Sequence, residues 1–108
     1  MAKYLLIESR DPFESNEVTR TYNFAMALSG AGNEVTLFLV QNGVLPTRSG
    51  AQVEGLAEVA GSDVTVLADD FSLRERAIGA GQLAAGIAAA PLEVVIDQLA
   101  DGVKAIWH

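Results

Sequence analysis

The sequence lacks cysteine altogether and contains a single histidine, His108, among its 108 residues. Without a thiol, the chain can form no disulfide, offer no thiolate to a metal and carry no persulfide. One histidine cannot make a multi-histidine metal site, and there is no internal histidine to activate a serine. The sequence predicts no metal site and excludes cysteine- or serine-based nucleophilic catalysis.

Basic residues and long apolar runs are also scarce. Seven lysines and arginines stand against fourteen aspartates and glutamates, which gives a net charge of −7. Because nucleic acids and anionic membranes are bound by clustered basic side chains, we expect neither as a partner. The longest weakly charged stretch, residues 78–92, is too short to cross a bilayer, and no signal peptide is visible. We expect a cytoplasmic protein.

A glycine-rich phosphate-binding loop is missing as well. The first apolar run is followed by Glu8, Ser9, Arg10, Asp11 and Pro12, without the glycines of a dinucleotide fingerprint or a P-loop. We therefore expect no nucleotide, and the sequence indicates no other cofactor.

Hydrophobic residues, in contrast, are abundant, at 50% of the chain. Apolar runs at residues 4–7, 34–40, 63–67 and 103–107 have the length of strands buried in a sheet. Because a small domain buries a limited fraction of its surface, the apolar excess also predicts contact with another subunit.

Amphipathic stretches between these runs predict helices. The helices are expected to start after Asp11 or Ser15, at Gln52, after Asp69 or Asp70, and at Leu92. In the last of them four apolar residues are expected to face inward: Leu92, Val95, Ile96 and Leu99. Residues 82–90, rich in alanine and glycine, indicate either close packing or a flexible cover.

The order βαβαβααβ predicts a single three-layer α/β/α domain over residues 1–108, flavodoxin- or Rossmann-like, with a mainly parallel sheet of 4–5 strands. The expected strand order, 2-1-3-4, puts a switch point between the first and third strands, where ligands bind beyond the strand ends. The loops at residues 9–15 and 68–70 would then face each other. The candidate cleft or ligand-binding residues are Ser9, Asp11, Ser15, Asn42, Gly43, Ala68, Asp69, Asp70 and Arg74.

The acidic candidates allow two interpretations. Asp11 and Asp69 follow strands, as the acids of a phosphoacceptor receiver domain do, and with Arg74 they could serve a cleft enzyme or a receiver-like regulator. Aspartates at these positions can also simply cap helices. Arg74 can pair with Asp70, Glu75 or solvent, in exposed contacts that are worth little. We prefer the capping interpretation because it needs no further chemistry.

Four segments, taken together in order and spacing, resemble one family. They are Asp11-Pro12-Phe13-Glu14-Ser15, Gly32-Asn33-Glu34-Val35, Phe38-Leu39-Val40-Gln41-Asn42-Gly43-Val44 and Leu73-Arg74-Glu75-Arg76-Ala77-Ile78. In these segments the chain resembles the DsrE/DsrF-like family of sulfur-relay and sulfur-oxidation proteins, which includes the TusD-type subunits. The resemblance covers residues 3–107.

The resemblance implies a role in sulfur metabolism. Members active in sulfur transfer carry a cysteine at the end of the third strand, and the resemblance places that position at or beside Ala68. Asn33 and Asn42 stand where members often have His and Asp. The family also implies a homotrimer, a hexamer or a hetero-oligomer with a related subunit. We thus expect a partner, scaffold or small-ligand-binding subunit that carries no persulfide.

Overall fold

Parallel strands form one sheet in the computed structural model, which describes residues 2–51, 53 and 55–108. The strands are β1 (Lys3–Glu8), β2 (Glu34–Leu39), β3 (Thr65–Asp69), β4 (Ile87–Ala90) and β5 (Lys104–Trp107). Their order across the sheet is β4-β3-β2-β1-β5, and every neighbouring pair is parallel. The predicted α/β fold with a parallel sheet is confirmed.

Helices cover both faces of this sheet. The α-helices are α1 (Glu17–Gly30), α2 (Leu56–Ala60), α3 (Asp70–Glu75) and α4 (Glu93–Ala100), and 3₁₀ helices span Gln41–Thr47 and Ala80–Gln82. Val18 of α1, Leu56 of α2 and Leu73 of α3 belong to the larger core cluster. Val95 of α4 belongs to a second cluster, with Phe38 of β2. None of the described helices is long and apolar enough to cross a membrane.

The predicted strand order 2-1-3-4 is wrong, because β2 lies between β1 and β3. Right-handed crossovers whose helices pack on one face add β2, β3 and β4 in a single direction. The crossover through α4, on the other face, returns the chain to the free edge of β1. The switch point therefore lies between β1 and β5, and the loops at residues 9–15 and 68–70 do not face each other.

Of the two predicted starts of the first helix, after Asp11 or after Ser15, the later one agrees better with the start of α1 at Glu17. The backbone carbonyl of Asp11 accepts hydrogen bonds from the N–H groups of Glu14 and Ser15, at 2.9 and 3.1 Å, so this segment forms a turn before α1. The second helix was expected from Gln52, which lies outside the described residues. The helix α2 begins at Leu56 and follows Gly55, whose φ of 88° is left-handed and suits glycine.

The inward face predicted for the last helix is also wrong in part. Val95 is buried, but Leu92, Ile96 and Leu99 are all more than half exposed. α4 lies alone among the described helices on its face of the sheet, so only one narrow side of it meets the second cluster. Residues 82–90, which were expected to be closely packed or a flexible cover, include β4, an edge strand that pairs with β3.

Candidate functional site

The switch point between β1 and β5 brings together polar groups that are far apart in the sequence. Glu8, the last residue of β1, has a side chain with no exposure to solvent. Its Oε2 accepts a hydrogen bond from the N–H of Arg10 at 3.0 Å, and its Oε1 lies 2.6 Å from Nδ1 of His108. A buried carboxylate requires such partners, because its desolvation is otherwise very costly.

The backbone of His108 is held beside β1 by three hydrogen bonds. Its N–H donates to the carbonyl of Ile7 at 2.8 Å, which continues the pairing of β5 with β1. Its own carbonyl accepts from both the N–H and the hydroxyl of Ser9, each at 3.1 Å. Ser9, a predicted site residue, therefore helps to place the imidazole ring.

The imidazole of His108 lies between two carboxylates. Its Nε2 is 3.1 Å from Oε2 of Glu17, at the start of α1, and Oγ1 of Thr21 is 3.4 Å from Nδ1. Hydrogen bonds to Glu8 and Glu17 raise the pKa of His108 above its ordinary value. The hydrogen bond from His108 also lowers the pKa of Glu17. An imidazolium fits this place, because both ring nitrogens then donate to a carboxylate.

Tyr22 of α1 adds a buried hydroxyl to this region. The tyrosine is completely buried, and no described residue forms a hydrogen bond with its hydroxyl. Burial raises the pKa of Tyr22 most, and the negative charges of Glu8 and Asp11 raise it further. The raised pKa keeps the phenol neutral at physiological pH.

Asp11 and Ser15 stabilise the turn that leads into α1. The carboxylate of Asp11, which is nearly buried, accepts a hydrogen bond from the N–H of Phe13 at 3.0 Å. The hydroxyl of Ser15 accepts one from the N–H of Glu17 at 3.3 Å. Both side chains support local structure beside the cluster at His108.

Asn42 and Gly43 follow β2 and contact two neighbouring segments, at Arg76 and at the end of β1. Oδ1 of Asn42 accepts hydrogen bonds from Nη2 and Nε of Arg76, at 3.0 and 3.3 Å. Gly43 packs so tightly against the backbone carbonyl of Glu8 that a Cβ atom would overlap with it. Glycine at this position thus brings the Gln41–Thr47 helix into contact with the end of β1.

The candidates at the end of β3 have structural partners of their own. Ala68 is completely buried in the larger core cluster. Oδ2 of Asp69 accepts hydrogen bonds from the N–H and the hydroxyl of Ser72, at 3.0 and 2.7 Å, and so caps α3. Asp70 and Arg74 form an exposed ion pair at 3.7 Å. Of the two possible caps, the structure selects Asp69.

The candidate residues therefore fall into separate groups. Ser9 contacts His108 and Asp11 acts on Tyr22, whereas Ala68, Asp69, Asp70 and Arg74 belong to β3 and α3. Two strand spacings, about 10 Å, separate the end of β1 from the end of β3. Among the described residues, no group of three or more acids and histidines could hold a metal ion.

Sequence reasoning missed Glu8, Glu17 and His108. Glu8 follows an apolar run directly, and a charged residue at the end of a buried strand is the one signal that could have indicated it. His108 gave no such signal, because its partners lie 100 and 91 residues away in the sequence. Glu17 and His108 border a shallow groove of about 300 Å³, whose other lining residues are Arg20, Thr21 and Phe24. The cluster can hold a proton at His108, whose positive charge the carboxylates of Glu8 and Glu17 balance.

The molecule is thus a three-layer α/β/α protein with a five-stranded parallel sheet and a buried carboxylate–imidazole pair at its switch point. Two solved structures share this fold over 100% of both chains. One is MTH1491 from Methanobacterium thermoautotrophicum, a protein of unknown function, with a TM-score of 0.81 and 16% sequence identity. The other is the ychN protein from E. coli, with a TM-score of 0.84 and 19% identity. No protein-family model and no curated protein matches the sequence.

Proposed function

We propose that this protein is a DsrE/DsrF-like subunit of an intracellular sulfur relay that does not itself carry persulfide. The full-length fold similarity to ychN and MTH1491 supports the fold that the sequence resemblance implies. The observation that carries the proposal is Ala68, a buried methyl group at the end of β3, at or beside the position of the family's sulfur-carrying cysteine.

The surroundings of Ala68 support a partner or scaffold role rather than covalent chemistry. The neighbouring carboxylate of Asp69 is engaged with Ser72, and Ala68 pairs in register with Leu39 of β2. Nothing in this arrangement offers a nucleophile to an incoming sulfur atom. The chain would then contribute binding surface to a relay whose cysteine is on another subunit.

Exposed apolar side chains support an oligomeric assembly. Leu92, directly before α4, and Ile96 and Leu99 within it follow one another at helical spacing and are 54%, 59% and 51% exposed. Ile106 and Trp107 are exposed on β5, at an edge of the sheet. Contiguous apolar surface of this kind commonly marks a protein interface. The partner would be further copies, as a trimer or hexamer, or a related cysteine-bearing subunit.

Light scattering tests whether the protein assembles. The variant Ile96→Glu, with Asp97→Asn as its control, tests whether the apolar surface of α4 forms the interface. We expect an oligomer at micromolar concentration that Ile96→Glu weakens, because it places a charge on the apolar side of α4. Asp97→Asn changes an exposed polar residue of the same helix and should leave the oligomer intact. A monomeric wild-type protein would contradict the assembly.

A sulfur-transfer assay tests the role itself. The protein is incubated with cysteine and a cysteine desulfurase, alone and together with a cysteine-bearing DsrE/F-type subunit from the same cell. We expect bound sulfane sulfur on the second subunit alone, and faster loading of it when both are present. Sulfur bound covalently to this chain, or a loading rate that is indifferent to its presence, would refute the proposal.

A further inference from the structure

A cavity of about 600 Å³ lies between α2 and the segment that leads into β4. Its floor is formed by Pro46, Leu56 and Ile87, which are all buried, and the last two belong to the larger core cluster. The cavity is thus a recess in the face of the sheet that α1 and α2 cover. It is separate from the groups at the switch point and from α4, which packs on the other face.

Small residues keep this recess open. Its walls include Ala57 and Ala60 of α2 and Ala85 and Gly86 before β4, which place only methyl groups or hydrogen atoms towards it. At Gly86, with a φ of 85°, a Cβ atom would come within 2.5 Å of the carbonyl oxygen of Ala60. Glycine therefore allows the two walls to meet at one end of the cavity, while the alanines leave its volume unfilled.

The chemistry of the lining is uniform. None of the described residues that line the cavity is charged, and all are alanine, glycine, proline, valine, leucine or isoleucine. Ala57, Ala85 and Gly86 are exposed, so the cavity opens to solvent, whereas the buried Leu56 and Ile87 close its inner side. Small-molecule sites typically have volumes of about 300–1,000 Å³ and mainly apolar walls.

We propose that this cavity binds a small, uncharged apolar molecule. Burying its surface against the alanine walls and the Leu56–Ile87 floor supplies the driving force. Among the described lining residues, a charged molecule would find no charged partner to compensate for its lost hydration. The proposal does not depend on the sulfur-relay role, because neither Ala68 nor the exposed side of α4 lines the cavity.

Fluorescence titration with the uncharged probe N-phenylnaphthylamine tests the site. We expect saturable binding by the wild-type protein and a loss of about tenfold or more in affinity for Ala57→Phe, whose ring would occupy the apolar volume. Ala27→Phe, at an exposed alanine of α1 that does not line the cavity, is the matched control and should bind as the wild type does. Amide NMR shifts on probe addition should centre on Ala60, Gly61 and Gly86.

Several outcomes would overturn the proposal. One is the absence of saturable binding by the wild type, and another is equal binding by Ala57→Phe and the wild type when both are folded by circular dichroism. Equal affinity for the anionic probe anilinonaphthalene sulfonate would refute the preference for uncharged ligands. If Ala57→Phe dissociated an oligomer in light scattering, the cavity would be occupied by a second copy and not by a small molecule.

Discussion

Nδ1 of His108 lies 2.6 Å from Oε1 of Glu8, a carboxylate that is completely removed from solvent. This contact joins the end of the edge strand β5 to the end of its interior neighbour β1. Through Glu17, the same imidazole reaches the first turn of α1. One side chain thus connects the sheet edge, the sheet interior and the first helix at the switch point.

Replacement of His108 by alanine should destabilise the fold. Glu8 would keep its hydrogen bond from the N–H of Arg10 but would lose the imidazole of His108 as a charged partner. A hydrogen bond between charged groups such as Glu8 and His108 contributes about 1–3 kcal/mol to the free energy of unfolding. Urea denaturation at pH 6 measures the loss.

Two further variants distinguish the buried contact from the exposed one. Glu17→Gln should have a much smaller effect, because Glu17 is on the surface, where ion pairs contribute little. Glu8→Gln in the His108→Ala background should restore part of the stability, since it removes the buried charge. Equal losses for His108→Ala and Glu17→Gln would contradict the importance of the buried pair.

The pKa of His108 should be raised when measured by NMR. It is the single histidine of the chain, so its imidazole signals can be followed directly through a pH titration. The midpoint should lie above the ordinary 6.5, because Glu8 and Glu17 both stabilise the imidazolium. Glu8→Gln should lower the midpoint more than Glu17→Gln does, because the hydrogen bond to Glu8 is the larger cause.

The same shift determines how stability depends on pH. A raised folded-state pKa means that the contribution of His108 is complete below its ordinary value of 6.5 and is lost as the pH rises through the raised pKa. The lowered pKa of Glu17 means that its contribution is present above its ordinary value of 4.5 and is lost as the pH falls through the lowered pKa. The stability difference between the wild type and His108→Ala should be largest between these two ordinary values. A difference that grows towards alkaline pH would show that the contact does not depend on the imidazolium.

Local sequence signals predicted the positions of the strands in the chain better than the order of the strands in the sheet. β1 and β2 are mainly apolar without regular polar alternation, so burial on both faces could be predicted from their residues alone. The order of the strands depends on which face each crossover helix covers, and no local pattern encodes that choice. β4 is composed of isoleucine and three alanines, and pairing with β3 makes it a strand despite its weak β propensity.

The same contrast between local and long-range interactions applies to the candidate site. The cap at Asp69 and the turn at Asp11 both depend on residues two or three positions away; the sequence predicted the cap at Asp69, whereas Asp11 forms a turn instead of the predicted helix cap. The pair Glu8–His108 forms only once β5 has paired with β1, and the predicted strand order did not place those strands at a common switch point. Long-range pairing therefore created the part of the site that was missed.

Asp69→Ala should reduce stability, whereas Asp70→Ala should have little effect. Asp69 caps α3 through two hydrogen bonds to Ser72, and loss of an N-terminal cap costs about 0.5–2 kcal/mol. Asp70 contributes an exposed ion pair with Arg74, which is worth at most about 1 kcal/mol. Thermal denaturation of both variants measures the difference. If Asp70→Ala were the more damaging change, the assignment of the cap would be wrong.

Gly43→Ala should be among the more damaging small substitutions in the protein. The added methyl group would overlap with the carbonyl of Glu8, which also accepts a hydrogen bond from the N–H of Val40 at 3.0 Å. Relief requires the Gln41–Thr47 helix to move away from β1, and overpacking of this kind costs about 1–3 kcal/mol. Gly30→Ala is the matched control, because nothing lies within 4 Å of its Cβ position. Urea denaturation gives the two free energies, and the NMR titration of His108 reports whether Glu8 has moved. Equal stabilities for the two variants would show that the end of β1 can move to accommodate the methyl group. If Gly43→Ala were destabilised but the His108 pKa were unchanged, the structural change would be limited to the Gln41–Thr47 helix.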